Sequence, residues 1–494
     1  MPSLPYLDRG LRRPQQTAIV DSQGSWSYGE LGERTQAVAG RLGGLRGERV
    51  GLFLDRTREA AALVLGVLQA GGVAVPLSLR ATPREHAYQL LDAGISKVVV
   101  DPAFEAVLRE TLAESGPKGG TPEVIRAAAL LAGSGAPDFA PPAPEAPAVI
   151  LYTSGTTGQP KGVVHTHASL AHQADVLFKA WEWGSEDRLL HVLPLHHVHG
   201  LINGLLGALW AGAEVGFRKS FQPEEVWELM ASREATVFYA VPTLYHHLIE
   251  SWGRAEPGTQ RSWAAGAGAL RLAVSGSAAL PTGLWTRWRE ITGQALLERY
   301  GMTEVGMALS NPYAGERRAG TVGQALPGMD VRIVAENGVD APEGTPGEIW
   351  VRGGSLFKEY WNRPEATRES FRDGYFLTGD VAEWDRGYVR IRGRASVDII
   401  KSAAYKISAL EVEGVLLEHA AIREAAVVGQ PDPEWGEVVT AFVTLHPGQS
   451  VTIEGLREFC RDKLASYKIP RRLRVLENLP RNAMGKVTKP ALLG

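Results

Sequence analysis

LYTSGTTGQPKGV occupies residues 151–163. It closes a short apolar run, 148–152, and passes into a loop of glycines, threonines and Ser154 that ends near Lys161. Glycine lets backbone approach a phosphate closely, and exposed N–H groups with hydroxyls make an anion nest. The stretch matches neither G-x-x-x-x-G-K-[ST] nor G-x-G-x-x-G, so it is not a Walker A loop or a dinucleotide fingerprint. A flexible surface loop is the alternative on composition alone.

Upstream of this loop, residues 49–54 (RVGLFL), 72–76 (GVAVP) and 97–100 read as strands, with a helix over 57–70. Downstream, residues 236–241 (TVFYAV) and 271–274 (RLAV) continue the series. Such alternation predicts an α/β fold with largely parallel sheets. After Gly320 the texture changes to short strands at 331–334, 348–351 and 388–391, a β-rich subdomain. From about Ser396 an α+β pattern begins, with helices at 407–417 and 453–464 and strands at 425–429 and 438–445. A boundary is expected within 392–397, giving domains 1–393 and 394–494. Residues 134–147, rich in Ala and Pro, read as an exposed connector.

A chain of 494 residues is too long for one ordinary core. With 52 basic and 55 acidic residues, the net charge of -3 supports neither a nucleic-acid partner nor a polybasic membrane anchor. Cys460 stands alone, so no internal disulfide forms, and its amphipathic surroundings make it a core residue. Residues 1–10 lack the apolar segment of a secretory signal. Residues 193–213 are apolar but carry three histidines, an asparagine and several glycines. They read as a buried loop, helix and strand, not a membrane span. A cytoplasmic location is expected, or the mitochondrial matrix if a presequence has been removed. Nothing in the sequence sets an oligomeric state.

Three more segments carry chemistry. In LERYGMTE, 297–304, Thr303 is placed to contact a phosphate. Glu304 is placed to hold Mg²⁺, which takes one or two carboxylates beside phosphate oxygens. A charged helix cap is the plain alternative. In YFLTGD, 375–380, Asp380 ends an apolar strand, where a carboxylate can accept both hydroxyls of a ribose; a simple turn is the alternative. PRNAMGK, 480–486, puts Lys486 on a loop near the C-terminus.

In this order and at these separations, the four segments resemble the adenylate-forming superfamily of acyl-CoA synthetases, adenylation domains and luciferases, over essentially the whole chain. The resemblance implies a large N-terminal domain of two α/β subdomains plus a β-barrel-like subdomain, with a small mobile α+β C-terminal domain. It implies ATP, Mg²⁺ and coenzyme A: a carboxylate attacks the α-phosphate, pyrophosphate leaves, and the CoA thiol then displaces AMP. Lys486 resembles the lysine that bridges carboxylate and α-phosphate. Thr153, Ser154, Gly155, Thr156, Thr157 and Lys161 resemble the phosphate loop. Thr303 resembles the α-phosphate contact and Glu304 the Mg²⁺ ligand. Asp380 and Arg394 resemble the ribose contacts. Gly276, Ser277, Ala278, Glu298, Tyr300 and Gly301 resemble the walls around adenine and acyl group.

Within the superfamily, LPLHHVHGL (193–201), VSGSAAL (274–280), VDIIK (397–401) and ALEVE (409–413) are most similar to the malonyl-CoA synthetases. That implies a dicarboxylic acid substrate, malonate and also methylmalonate, whose distal carboxylate pairs with Arg299, supported by Ser277, His199 and Met302. The physical reason is that an arginine left unpaired in an apolar tunnel is costly, whereas a carboxylate accepts its forked donors. A structural partner for Arg299, Glu298 or Glu304, is the alternative. A metal cluster of His196, His197 and His199 is disfavoured by their loop spacing.

The pattern breaks in two places. The expected CoA path, Ser402, Ala403, Ala404 and Tyr405, has two alanines where relatives keep glycine. Ala395, Ser396 and Val397 follow Gly393-Arg394 where many relatives carry a charge. Another carboxylic acid, a carrier-loading adenylation domain with no carrier expected after residue 494, and an adenylate-binding protein impaired in CoA transfer are the rival readings.

Overall fold

A computed structural model describes residues 4–115, 121–132, 140, 142–153, 160–402, 405–433, 435–482 and 486–493. In its largest sheet, Leu297–Tyr300, Leu272–Ser275, Val237–Ala240, Arg188–His191, Glu214–Phe217 and Thr17–Asp21 are neighbours in that order, all parallel. Parallel strands covered on both faces read as unbroken apolar runs. VFYA at Val237–Ala240 and LAVS at Leu272–Ser275 are accordingly buried throughout. One face is covered by helices that bring Trp227 parallel to Trp288 and Trp263, at centroid distances of 5.4 and 5.9 Å.

A second sheet sets Pro147–Thr153, Val73–Pro76, Arg49–Phe53, Lys97–Val100 and Glu123–Arg126 parallel. Lys161–Thr166 returns antiparallel to Pro147–Thr153, with Thr153 opposite Lys161 at the end of the pairing. The helix Arg58–Gln69 begins where Thr57 accepts the Ala60 N–H and is apolar nearly all round, as its burial between the sheets requires. The β-rich part is an antiparallel sheet of Met329–Val334, Gly347–Gly353, Tyr375–Asp385, Phe371–Arg372 and Tyr388–Arg394. A fourth sheet joins Tyr405–Ser408, Ile399–Ser402, Gly436–Leu445, Ile422–Asp432 and Arg472–Val475. It has its own core, which includes Ile400, Val412, Leu456 and Cys460.

The expected helix over 407–417 is corrected. Ile407 pairs with Ile400 in the strand Tyr405–Ser408, and the helix Ala409–Leu416 starts only after Ser408, whose hydroxyl accepts the Glu411 N–H. The helix expected to reach 464 ends at Cys460. Within 193–213, a π-helix His199–Leu206 runs into the α-helix Gly207–Ala211. Half of the connector 134–147, residues 134–139 and 141, lies outside the described residues, and Pro147 already belongs to a strand. Among the described residues no helix is long and apolar enough to cross a membrane.

Candidate active site

The C-terminal ends of Arg188–His191, Val237–Ala240, Leu272–Ser275 and Leu297–Tyr300 lie on one edge of the large sheet. In open α/β sheets that edge is where ligands bind. Leu272–Ser275 delivers Gly276 and Ser277 there, Leu297–Tyr300 delivers Arg299 and the turn 301–307, and the π-helix delivers His199.

Arg299 is 4% exposed. Its guanidinium lies against Gly276: a Cβ there would be 2.5 Å from Nε and 2.6 Å from Cζ, so only glycine leaves room. Among the described residues, Arg299 Nε and Nη2 have no hydrogen-bond partner. Burial pulls the guanidinium down to about 10. Beside it, His199 Nδ1 is 3.2 Å from Ser277 Oγ, while Nε2 has no partner among the described residues. Burial and the Arg299 charge keep that imidazole neutral. Ser277 has φ of 69°, a strained conformation for a non-glycine residue, of the kind that clusters at functional sites.

Neither proposed structural partner reaches Arg299. Strand alternation sends Glu298 to the opposite face, where Oε1 accepts the Leu280 N–H at 3.0 Å. Burial raises the Glu298 carboxyl to about 8, so it is neutral at pH 7. Glu304 Oε1 accepts from the Tyr360 hydroxyl at 2.9 Å.

The turn 301–307 has no regular secondary structure and is held from outside. The His165 ring donates through Nε2 to the Thr303 carbonyl at 2.7 Å, and burial lowers this histidine to about 4, keeping it neutral. Gln173 Oε1 accepts the Met307 N–H at 2.7 Å, and the Glu304 carbonyl accepts the Phe357 N–H at 2.7 Å. Gly301 is obligatory here, since a Cβ would meet the Gly306 carbonyl at 2.1 Å. Met302 and Thr303 remain half-buried at the cleft.

Burial raises the Glu304 carboxyl, an environment that a cation would relieve. No group of three or more metal-ligating side chains exists among the described residues. A cation on Glu304 therefore needs oxygens from a substrate, the pattern Mg²⁺ favours. Lys161 Nζ stands 4.8 Å over the ring of Tyr360, whose hydroxyl donates to Glu304, so the start of Lys161–Thr166 meets the Glu304 side. Thr153 lies opposite Lys161 there. Ser154, Gly155, Thr156 and Thr157 lie outside the described residues.

Asp380 and Arg394 face each other across an antiparallel pair. Arg394 Nε donates to Asp380 Oδ1 at 2.9 Å and the Tyr300 hydroxyl to Oδ2 at 2.6 Å. Ala278 is exposed at the rim. Lys486 is exposed in the open cleft, yet desolvation there and the charges of Arg299 and Arg394 lower its ammonium, against the pull of Asp380. One cleft thus gathers Lys486, Arg299, Arg394, Asp380 and the histidines. Ser402 and Tyr405 are not joined to it: their hairpin meets the β-rich sheet through the Lys406–Glu336 ion pair. Ala403 and Ala404 lie outside the described residues.

Sequence reasoning missed Tyr360, His165 and Gln173. A tyrosine, a histidine and a glutamine in ordinary strand and helix positions carry no local signal of what they touch far along the chain.

Known proteins resemble this chain over nearly its whole length. The AMP-binding enzyme family matches residues 8–361, and the AMP-binding enzyme C-terminal domain matches residues 411–486. The chain is 41% identical over 532 residues to the mitochondrial malonate–CoA ligase of Homo sapiens, covering 99% of this chain and 92% of that one. It resembles the crystal structure of ATP-bound MatB from Rhodopseudomonas palustris with a TM-score of 0.90 at 36% identity, over 100% and 98% of the two chains. A malonyl-CoA ligase with methylmalonyl-CoA and AMP bound gives a lower TM-score, 0.71, at 38% identity, over 97% and 100%.

Proposed function

The chain belongs to the AMP-binding enzyme family, and from that premise we propose that it is a malonate–CoA ligase that also takes methylmalonate. One observation carries the choice of acid: a buried guanidinium with free donors, next to Ser277 and His199, at the sheet edge where the acid binds. A monocarboxylate leaves those donors unpaired, whereas the distal carboxylate of malonate accepts them. A charge-assisted bond of this kind is worth about 1.5–3 kcal/mol, roughly ten- to a hundredfold in affinity. One extra methyl changes binding by only about 1–3 kcal/mol, which leaves methylmalonate acceptable.

In the first half-reaction the near carboxylate oxygen attacks the α-phosphorus of ATP, the bond to the β-phosphate oxygen breaks, and pyrophosphate leaves. Lys486 draws carboxylate and α-phosphate together as a mobile point charge. Thr303 and the phosphate loop, Thr153 to Thr157 with Lys161, hold the phosphates, and Asp380 and Arg394 orient the ribose. Gly276, Ser277, Ala278, Tyr300 and Gly301 wall the nucleotide and acyl groups, with Met302 beside them, and Glu298 backs that wall. Glu304 is the residue that would hold Mg²⁺, whose charge offsets that of the phosphates. Positioning and charge neutralisation dominate such transfers.

In the second half-reaction the CoA thiol loses its proton and attacks the acyl carbon, and AMP leaves. We place the pivot for this change at 395–397, just past the junction of an N-terminal domain 1–393 with a C-terminal domain 394–494. The higher TM-score with the ATP-bound relative than with the product complex, at comparable identity, supports an adenylate-forming orientation here. Ser402, Ala403, Ala404 and Tyr405 would border the CoA path only after rotation. If the alanines take the place of glycines beside that path, they would act on thioester formation and not on adenylation.

The test is AMP release with malonate, methylmalonate, acetate and octanoate, each with and without CoA. The reading expects the first two to dominate, with full turnover only when CoA is present. Turnover with acetate or octanoate and none with malonate would reject it.

A further inference from the structure

Residues 395–397 are Ala, Ser and Val, so no charged side chain stands in the stretch where the pivot is placed. The next residue, Asp398, has two separate partners. Its Oδ2 accepts the Arg394 backbone N–H at 3.0 Å. Its Oδ1 accepts from Lys489 Nζ at 2.5 Å. Gly393, with φ of 124°, makes space for this: a Cβ there would lie 2.4 Å from Asp398 Cβ. Lys489 reaches a second carboxylate, Glu413 Oε1, at 2.7 Å, and the same oxygen accepts the Val427 N–H at 2.7 Å.

These contacts are secluded: the side chains of Lys489, Asp398 and Glu413 are 12, 15 and 14% exposed. They are therefore unlike the exposed ion pairs of the surface, which contribute little. Lys489 lies three residues after Lys486 and opens the short turn Lys489–Leu492. Arg394, on the other side of Asp398, uses its own side chain on Asp380 and the Thr378 carbonyl. One carboxylate thus touches both the strand end that carries the ribose-side arginine and the loop that carries Lys486.

We infer that Lys489 and Asp398 are positioning residues: Lys489, anchored on Asp398 and Glu413, sets the loop of Lys486 over the acid and nucleotide cluster, and Asp398 ties that anchor across the pivot to Arg394. The inference rests on Lys486 acting in adenylate formation. A displacement of about 1 Å in a reacting group costs on the order of a hundredfold in rate. Loss of this anchor acts on the half-reaction that uses Lys486 and spares the one that does not.

The experiment measures both half-reactions in the full chain. Malonate-dependent pyrophosphate exchange reports the first, and release of AMP from synthetic malonyl-adenylate plus CoA reports the second. Lys489→Met and Asp398→Asn should lower exchange by about 10- to 100-fold while transfer stays within about threefold, and Lys489→Arg should recover part of the loss. Asp398→Asn is nearly isosteric and keeps the measurement available if Lys489→Met fails to fold. Exchange at the wild-type rate in both variants would overturn the inference, as would an equal fall in both half-reactions. Lys486→Ala run alongside separates the two levels. If it abolishes exchange while Lys489→Met does not, the anchor alone is wrong; if it leaves exchange intact, the reading of Lys486 is wrong.

Discussion

The guanidinium of Arg299 lies so close to Gly276 that a single added methyl would come within 2.5 Å of Nε. If Arg299 selects the acid as proposed, that contact makes Gly276 a determinant of substrate choice through shape alone. Gly276→Ala should push the guanidinium off its position without removing its charge. Steady-state kinetics should show the KM for malonate rising by about tenfold or more, as for loss of one charge-assisted bond. The KM for ATP should change less.

Arg299 should also lower stability in the absence of its ligand, because a buried charge without a partner is costly and an apolar replacement of similar length removes that cost. Arg299→Met is expected to melt at a higher temperature than the wild type in buffer. Malonate near 100 times its Kd should stabilise the wild type by about 2.7 kcal/mol and leave Arg299→Met unmoved. Thermal melts with and without malonate check both parts. A lower melting temperature for the variant would show that Arg299 has a structural partner.

Much of this site is legible in the sequence because its residues are contiguous. LYTSGTTGQPKGV and LERYGMTE each concentrate several functional groups on one loop or strand end, so type and spacing alone suggest a phosphate site. The Arg299 argument was also available, since a charge in an acyl pocket demands a partner. What was hidden depends on contacts between distant segments. Tyr360 meets Glu304 across 56 residues and His165 meets Thr303 across 138. Asp398 reads as one more acid until Lys489 is seen against it. Ile407 and Ser408 read locally as part of the helix that follows. Pairing with Ile399–Ser402 overrode that local preference.

Lys486 gives a pH signature. In the proposed role it bridges anions only as an ammonium, which persists below its pKa and is lost above it. Desolvation and the neighbouring arginines lower that pKa from 10.5, so the alkaline fall in pyrophosphate exchange should occur at lower pH than for an unperturbed lysine. Acyl transfer from supplied adenylate should lack this limb. An exchange rate flat to pH 10.5 would contradict the assignment.

Glu298 gives a different one, in stability. Its carboxyl is raised from 4.5 to about 8 in the folded chain. The folded state therefore holds a proton that the unfolded state has released between those values. The contribution of Glu298 to stability is complete below about pH 4.5, declines as pH rises, and is gone above about pH 8. Glu298→Gln keeps an acceptor for the Leu280 N–H without the titration. Relative to the wild type, it should therefore gain stability between pH 5 and pH 8, by a few kcal/mol at most. Denaturant melts at the two pH values read the difference; equal differences would mean that Glu298 is ionised in the fold.

The most direct measurement compares malonate with isovalerate, its carbon isostere, in which two methyl groups replace the distal carboxylate oxygens. Pyrophosphate exchange should favour malonate by about 10- to 100-fold in kcat/KM for the wild type, and that preference should collapse in Arg299→Met. Equal use of both acids by the wild type, or a preference for malonate that survives loss of Arg299, would contradict the account.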